Sequence, residues 1–322
     1  MKLGLFSALT ALALGPAGGA LAQTARAQTA PVPAAASSDP DGDRVGDIDV
    51  VAATRRAMGT YAREVGSGPM GRLSPRWDDR ICVHVAFMDA EHATFLRDRV
   101  GAVAKAIGLS PDPSPDCRPD ISIFASDDPD ALADELMVAS PISFRPARRA
   151  VSLGDAALEA FRTSDAPVRW WQVSLPLMSD SGQVAIPLGA MEPDMMSRSV
   201  TVRNGSRLRG NVRDDLVGVT IILDMKKLEG VPFNAVSDYV AFVALAPADP
   251  RVETDGFDTV LNLFERPGVT GLTLTDEDYL FALYSASRDP MNASIQASEI
   301  ADRMTTERRR RSAEQRRVAA AE

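Results

Sequence analysis

In 322 residues this chain has two histidines, two cysteines and 6% aromatic side chains. His84 falls within a strand pattern and His92 at a helix start. No helix therefore carries the i, i+4 imidazole pair through which HExxH peptidases hold zinc. A Ser/His/acid triad would have to recruit one of the same two rings, and no G-x-S-x-G elbow is present to expose its serine. Neither G-x-x-x-x-G-K-[ST] nor G-x-G-x-x-G occurs, which leaves nucleotide binding without a phosphate loop. No metal-ligand set and no cofactor is implied. Positive charge is also in deficit. A net charge of -9 argues against a nucleic-acid binder, because phosphate attraction requires a positive face. Past residue 22 no apolar run approaches the ~20 residues that span a bilayer, so no transmembrane segment is expected.

The N-terminus is better supplied. Lys2, an apolar run from Leu3 to Leu14, a Gly15-Pro16 break and the small residues Ala20-Leu21-Ala22 have the form of a secretory signal peptide. It would occupy residues 1–22, with an alternative cleavage after Ala27. Such a chain is exported, to the periplasm or beyond. In an oxidising compartment Cys82 and Cys117 read as a disulfide, which would close a loop of ~35 residues and contribute about 3 to 4 kcal/mol. Residues 23–75 are rich in Ala, Pro, Ser, Asp and Gly and read as a flexible linker, with a short helix near Val50 to Val65 as an option. Residues 76–290 carry the globular domain and 291–322 a basic, polar, helical tail.

Within the domain the apolar periods alternate. Ile81, Val83, Val85 and Phe87 recur every second residue, which predicts a strand, and Glu91 to Leu109 carries apolar residues at helical spacing. A second strand, Ile121 to Ala125, and a helix, Asp127 to Val138, follow. Strands are expected across Arg169 to Leu177 and Val217 to Leu223, with a hairpin turn at Asn204-Gly205 between them. Adjacent Trp170 and Trp171 on a strand must face opposite ways, so one is expected in the core. Val231 to Ala246 predicts a helix apolar on nearly every side, with Asn234 capping its first turn and Asp238 near its positive end. Thr259 to Phe264 reads as an apolar loop or short strand. A further helix is expected to begin at Thr275, with Asp278 completing a box-like cap. The fold class is α+β, a mixed sheet with packed helices.

The segment Ser237-Asp238-Tyr239-Val240-Ala241-Phe242-Val243-Ala244-Leu245 can be laid over the H-E-x-x-H-x-L-G-L pattern of zincin metallopeptidases. In its order of elements the chain resembles a group of exported bacterial proteins with a degenerate zincin-like core. The resemblance spans about residues 80–287. It implies a zincin-like N-terminal subdomain, plus a small helical C-terminal part. On this overlay Ser237 and Ala241 stand where zinc-binding histidines would be and Asp238 where the general-base glutamate would be. The ligands that define the motif are the ones missing, so the resemblance implies a pseudoenzyme.

Two charged clusters remain. Arg203, Arg207, Arg209, Asn211, Arg213 and Asp214, with Asp215, form a polar group whose guanidinium groups could hold a carboxylate or phosphate. The alternative is a solvated hairpin with internal Arg/Asp pairs. Arg308, Arg309, Arg310 and Arg311 could touch an anionic membrane surface, or belong to a solvated, fraying helix. The functional expectation is an exported, non-catalytic chain that binds a protein or an anionic ligand. The alternative is a hydrolase of another class using the Arg/Asp cluster 203–215.

Overall fold

The computed structural model describes residues 40–66, 68–114, 116–144, 152–185, 205 and 209–321. The expected signal peptide, and the hairpin at Asn204-Gly205 apart from Gly205 itself, lie outside them. Two compact units are distinguished, Met1–Arg44 and Val45–Glu322. Of the first, the described part is the opening of helix α1; everything below concerns the second.

The centre is a mixed four-stranded sheet ordered β2-β4-β6-β5. Strands β2 (Val83–Ala86), β4 (Ile121–Ser126) and β6 (Val212–Asp224) run parallel, and β5 (Val168–Met178) closes the edge antiparallel to β6. A two-stranded parallel pair, β1 (Arg80–Ile81) and β3 (Ser110–Pro111), accompanies it. Parallel strands need a crossover, which the chain supplies between β2 and β4 as helix α2 (Ala90–Ala106), capped by the Asp89 carboxylate on the His92 amide. The α+β class is that expected, with helices on both faces of the sheet.

Alternation along the strands sorts side chains between these faces. Val83, Ile121, Ile123, Val219, Ile221 and Trp170 join the main core with α2 and with α6 (Phe233–Leu245). Ile222 and Trp171 join a smaller one with Ala133 of α3 (Pro129–Ala139), Phe144 of α4 (Pro141–Phe144) and Ala157 and Phe161 of α5 (Asp155–Thr163). Both tryptophans are therefore core, one on each face, where one was expected. Each indole N–H finds a carbonyl, Trp170 that of Ala248 at 2.8 Å and Trp171 that of Ser143 at 2.9 Å.

Helix α6 is buried from Ala235 to Leu245 and ends inside the protein. The last carbonyls of a helix lack intrahelical donors, and here Pro247 has no N–H to give Val243. Gln172 on β5 donates to Val243 and Ala246, each at 2.7 Å; the Trp77 indole donates to Ala244 at 2.9 Å and the Tyr284 hydroxyl to Leu245 at 2.9 Å. At the other end the cap position is Pro232, with no side-chain cap. Asn234 sits one residue inside the helix and is exposed, because the chain enters with Pro232 already bonded through its carbonyl to the Ala235 and Val236 amides.

Order starts well before Trp77. Helix α1 (Pro40–Glu64) occupies much of the expected linker and buries Met58, Tyr61 and Ala62, so the apolar residues scattered through a polar stretch share one helical face. Tyr61 donates to the Asp276 carboxylate at 2.8 Å and stands edge-on to Phe257 and Tyr279. Thr259 to Phe264 contains a 3-10 turn, Val260–Asn262. Helix α7 (Leu274–Ser285) is capped by Thr273 with Asp276, two residues before the expected pair; Asp278 is buried instead and holds Arg308 at 2.6 Å. Helix α8 (Ala293–Ala319) is no separate tail, since Ile300, Ala301 and Met304 are buried against α7. The Cys82–Cys117 disulfide is present, with Cα atoms 6.0 Å apart. Among the described residues no helix is long and apolar enough to cross a membrane.

Two measurements test this core. Gln172→Leu keeps the volume but leaves the Val243 carbonyl without a donor, and is expected to cost about 2 kcal/mol in urea unfolding. Burial is the largest influence on Asp276 and raises its pKa, against the hydrogen bonds from Thr259, Thr273, Tyr61 and Val260. Its folded value exceeds its unfolded one, so the native state holds the proton more readily and this residue's contribution to stability falls as pH rises from about 4. Asp276→Asn places an NH2 against those donors and destabilises; the gap to the wild type should narrow between pH 4 and pH 7.

Candidate functional site

Helix α6 positions three residues by the motif overlay, and the fold engages each differently. The Ser237 hydroxyl donates to the Phe233 carbonyl one turn back, at 2.7 Å. Asp238 lies in the second helical turn and is paired with Arg99 of α2, while its other oxygen accepts from the Leu272 amide at 3.0 Å. The expected role of Asp238 at the helix end is thus replaced by a tie between α2, α6 and the loop before α7. Ala241 is fully buried and has no donor atom. His84 is exposed on β2, and His92 sits beside Asp89, Nδ1 to Oδ2 2.7 Å, with its ring edge-on to Phe233 at 4.8 Å. Among the described residues no group of three His, Cys, Asp or Glu side chains could hold a metal ion.

Of the Arg/Asp cluster, Arg203 and Arg207 lie outside the described residues, and Arg209 and Asn211 are exposed. Arg213 and Asp214 start β6 with opposite partners. Asp214 is buried and accepts from Arg72 Nε at 2.9 Å; desolvation, the largest influence, raises its pKa while Arg72 opposes the rise. Arg213 is 3.2 Å from Asp215 and 3.4 Å from Asp78, and Arg288 joins both carboxylates, reaching Asp215 at 2.6 Å. Next to them Arg76 is buried, donating to the Leu283 and Ala286 carbonyls at the end of α7, and burial lowers its pKa to about 10. The network clamps the segment before β1 to β6 and to the α7–α8 turn. Arg72, Arg76 and Arg288 had no sequence signal linking them to the cluster, because their partners are 73 to 210 residues away.

The arginine run of α8 is turned partly inward. Arg308 meets Asp278, Arg310 meets Glu307 at 2.6 Å, and Arg311 lies against Glu277, Glu307 and Asp278. Arg309 is exposed. Local acidic partners thus offset much of the positive field that a membrane surface would meet.

One concave feature beside α6 was not pointed to by the residue patterns. A cavity of about 370 Å³ opens at the start of β5, walled by α5, the loop leading into β5, Tyr239 of α6 and the segment after α6 as far as Glu265. Tyr239 is 6% exposed there, in ring contact with Trp170 and Phe264. The signal available in sequence was Tyr239 itself, the one polar-tipped aromatic on an otherwise apolar helix face.

No known protein family, curated protein or solved structure matches this chain.

Arg72→Ala would strand the Asp214 carboxylate in a buried site and should cost about 3 kcal/mol, whereas Arg209→Ala, at an exposed position, should stay within about 0.5 kcal/mol. Paired urea titrations of the two variants check the contrast.

Proposed function

We propose that this chain is an exported, non-catalytic protein with a pseudo-metallopeptidase-like core, and that it acts by binding, its ligand seated in the cavity beside α6. One observation carries the reading. At the motif positions a hydroxyl is bonded to its own helix, a carboxylate is bonded to Arg99 and a backbone amide, and Ala241 brings only a methyl group. A zinc hydrolase needs about three protein ligands and a free base at such a helix, and these side chains do not supply them. The disulfide supports export, because such bonds persist in oxidising compartments.

The Arg/Asp cluster is the poorer seat for an anionic ligand or a hydrolytic site. Arg213 and Asp214 already neutralise Asp215, Asp78 and Arg72, so a ligand would have to displace internal ion pairs. Arg209 and Asn211, being exposed, retain surface for a partner protein.

Two measurements test the proposal: elemental analysis of chain purified without added zinc, and assay on generic ester and peptide substrates. The expected results are zinc far below one ion per chain and turnover at the buffer rate. Stoichiometric zinc, or turnover lost in Asp238→Asn, would overturn it.

A further inference from the structure

We propose that the cavity at the start of β5 binds a small organic cation, an ammonium group carried on an apolar body. This inference rests on the binding reading above and names the ligand class of the same site.

The walls supply the apolar part. Trp170 and Tyr239 have ring centroids 6.0 Å apart at 70°, and Tyr239 and Phe264 are 5.1 Å apart at 51°, so three aromatic rings form a continuous lining. Aromatic π faces attract cations and tolerate the methyl groups of a quaternary ammonium. The volume, about 370 Å³, falls within the range of small-molecule sites.

The charge balance selects the sign. Asp165, Asp249, Glu265 and Arg169 line the cavity. Asp165 is paired with Lys227, and Asp249 is held by both ends of the Arg251 guanidinium, at 2.9 and 2.6 Å. The charge of the buried Arg169 is paired with Asp130 through Nη1 at 2.5 Å, the same nitrogen donating to the Arg162 carbonyl at 2.7 Å, while its Nε–H has no partner among the described residues. Glu265 alone pairs with no cation among the described residues, and it stands exposed at the rim. The one uncompensated charge is negative. An anionic ligand would meet it as repulsion, and a cation gains a Coulombic attraction from it that a neutral ligand of the same shape does not.

The Tyr239 hydroxyl adds a polar contact. It bonds to no described residue, although the side chain is more than nine-tenths buried. Burial, then the charge of Glu265, push its pKa up, so it remains a neutral hydroxyl whose oxygen can accept from an ammonium N–H or a ligand hydroxyl.

The test is calorimetric titration of the full chain with choline and with its neutral carbon isostere, 3,3-dimethyl-1-butanol. Choline should bind at least tenfold more tightly than the isostere. Glu265→Gln, an exposed change that leaves the fold intact, should weaken choline three- to tenfold and leave the isostere unaffected. Tyr239→Phe should weaken choline with its thermal unfolding midpoint unchanged. Equal binding of the two probes, or choline binding indifferent to Glu265→Gln, would overturn the cation assignment while leaving a binding cavity. Saturable binding of neither probe would overturn it as well. The zinc and turnover assays above are decided independently, so failure here is distinguishable from failure of the non-catalytic reading.

Discussion

The end of α6 inside the protein is the constraint that the remaining elements answer to. A helix buried on all sides gains from every apolar side chain it carries, but its last carbonyls would be left without donors in a medium that cannot hydrate them. Gln172 from the edge strand, Trp77 from the segment before β1 and Tyr284 from α7 each bring one donor group to that point. Three elements distant in sequence are thereby fixed against a single helix terminus. Slippage of β5 by one residue would turn Gln172 to the opposite face and remove a donor, so the same bonds also hold the register of the sheet edge.

Charged groups extend the same logic outward. Asp238 joins α6 to α2 through Arg99, and the Arg72, Arg76, Arg213 and Arg288 guanidinium groups are distributed over Asp78, Asp214, Asp215 and the carbonyls that end α7. A carboxylate removed from water is tolerated when it is paired and hydrogen-bonded, and breaking one partner is then costly. Ser237 and Asp238 of α6 are both engaged in contacts within the fold, the hydroxyl with the Phe233 carbonyl and the carboxylate with Arg99 and the Leu272 amide. Tyr239 of the same helix lines a cavity together with Trp170 and Phe264, where Glu265 pairs with no cation among the described residues.

Element type was legible from period. The apolar stripe from Glu91 onward marks a helix, and the alternation from Ile81 marks extended chain, because two-residue and 3.6-residue repeats place side chains on different surfaces. The single strand expected to Phe87 is instead split at Cys82 into β1 and β2, and Phe87, at φ 61°, lies beyond β2 and is exposed. Helix α1 was harder to read, since its few core residues, Met58, Tyr61 and Ala62, are diluted by polar neighbours and become a face only once there is a surface to dock on. The capping pair of α7 was displaced by two residues for a similar reason. Thr275 with Asp278 and Thr273 with Asp276 share the same spacing, and the buried hydroxyls of Tyr61 and Thr259 select the second.

The amino-acid sequence by itself determined that two imidazoles cannot form a helical zinc pair, that Cys82 has one possible partner in the chain, and that the segment around Val236 to Leu245 must be interior. These are properties of residue type and spacing, and no packing alters them. Only tertiary structure decided which guanidinium meets which carboxylate, that both tryptophans are buried, and that Tyr239, Trp170 and Phe264 line a common cavity. Such contacts join residues tens to hundreds of positions apart, and they depend on the order of strands in the sheet, which local periodicity does not encode.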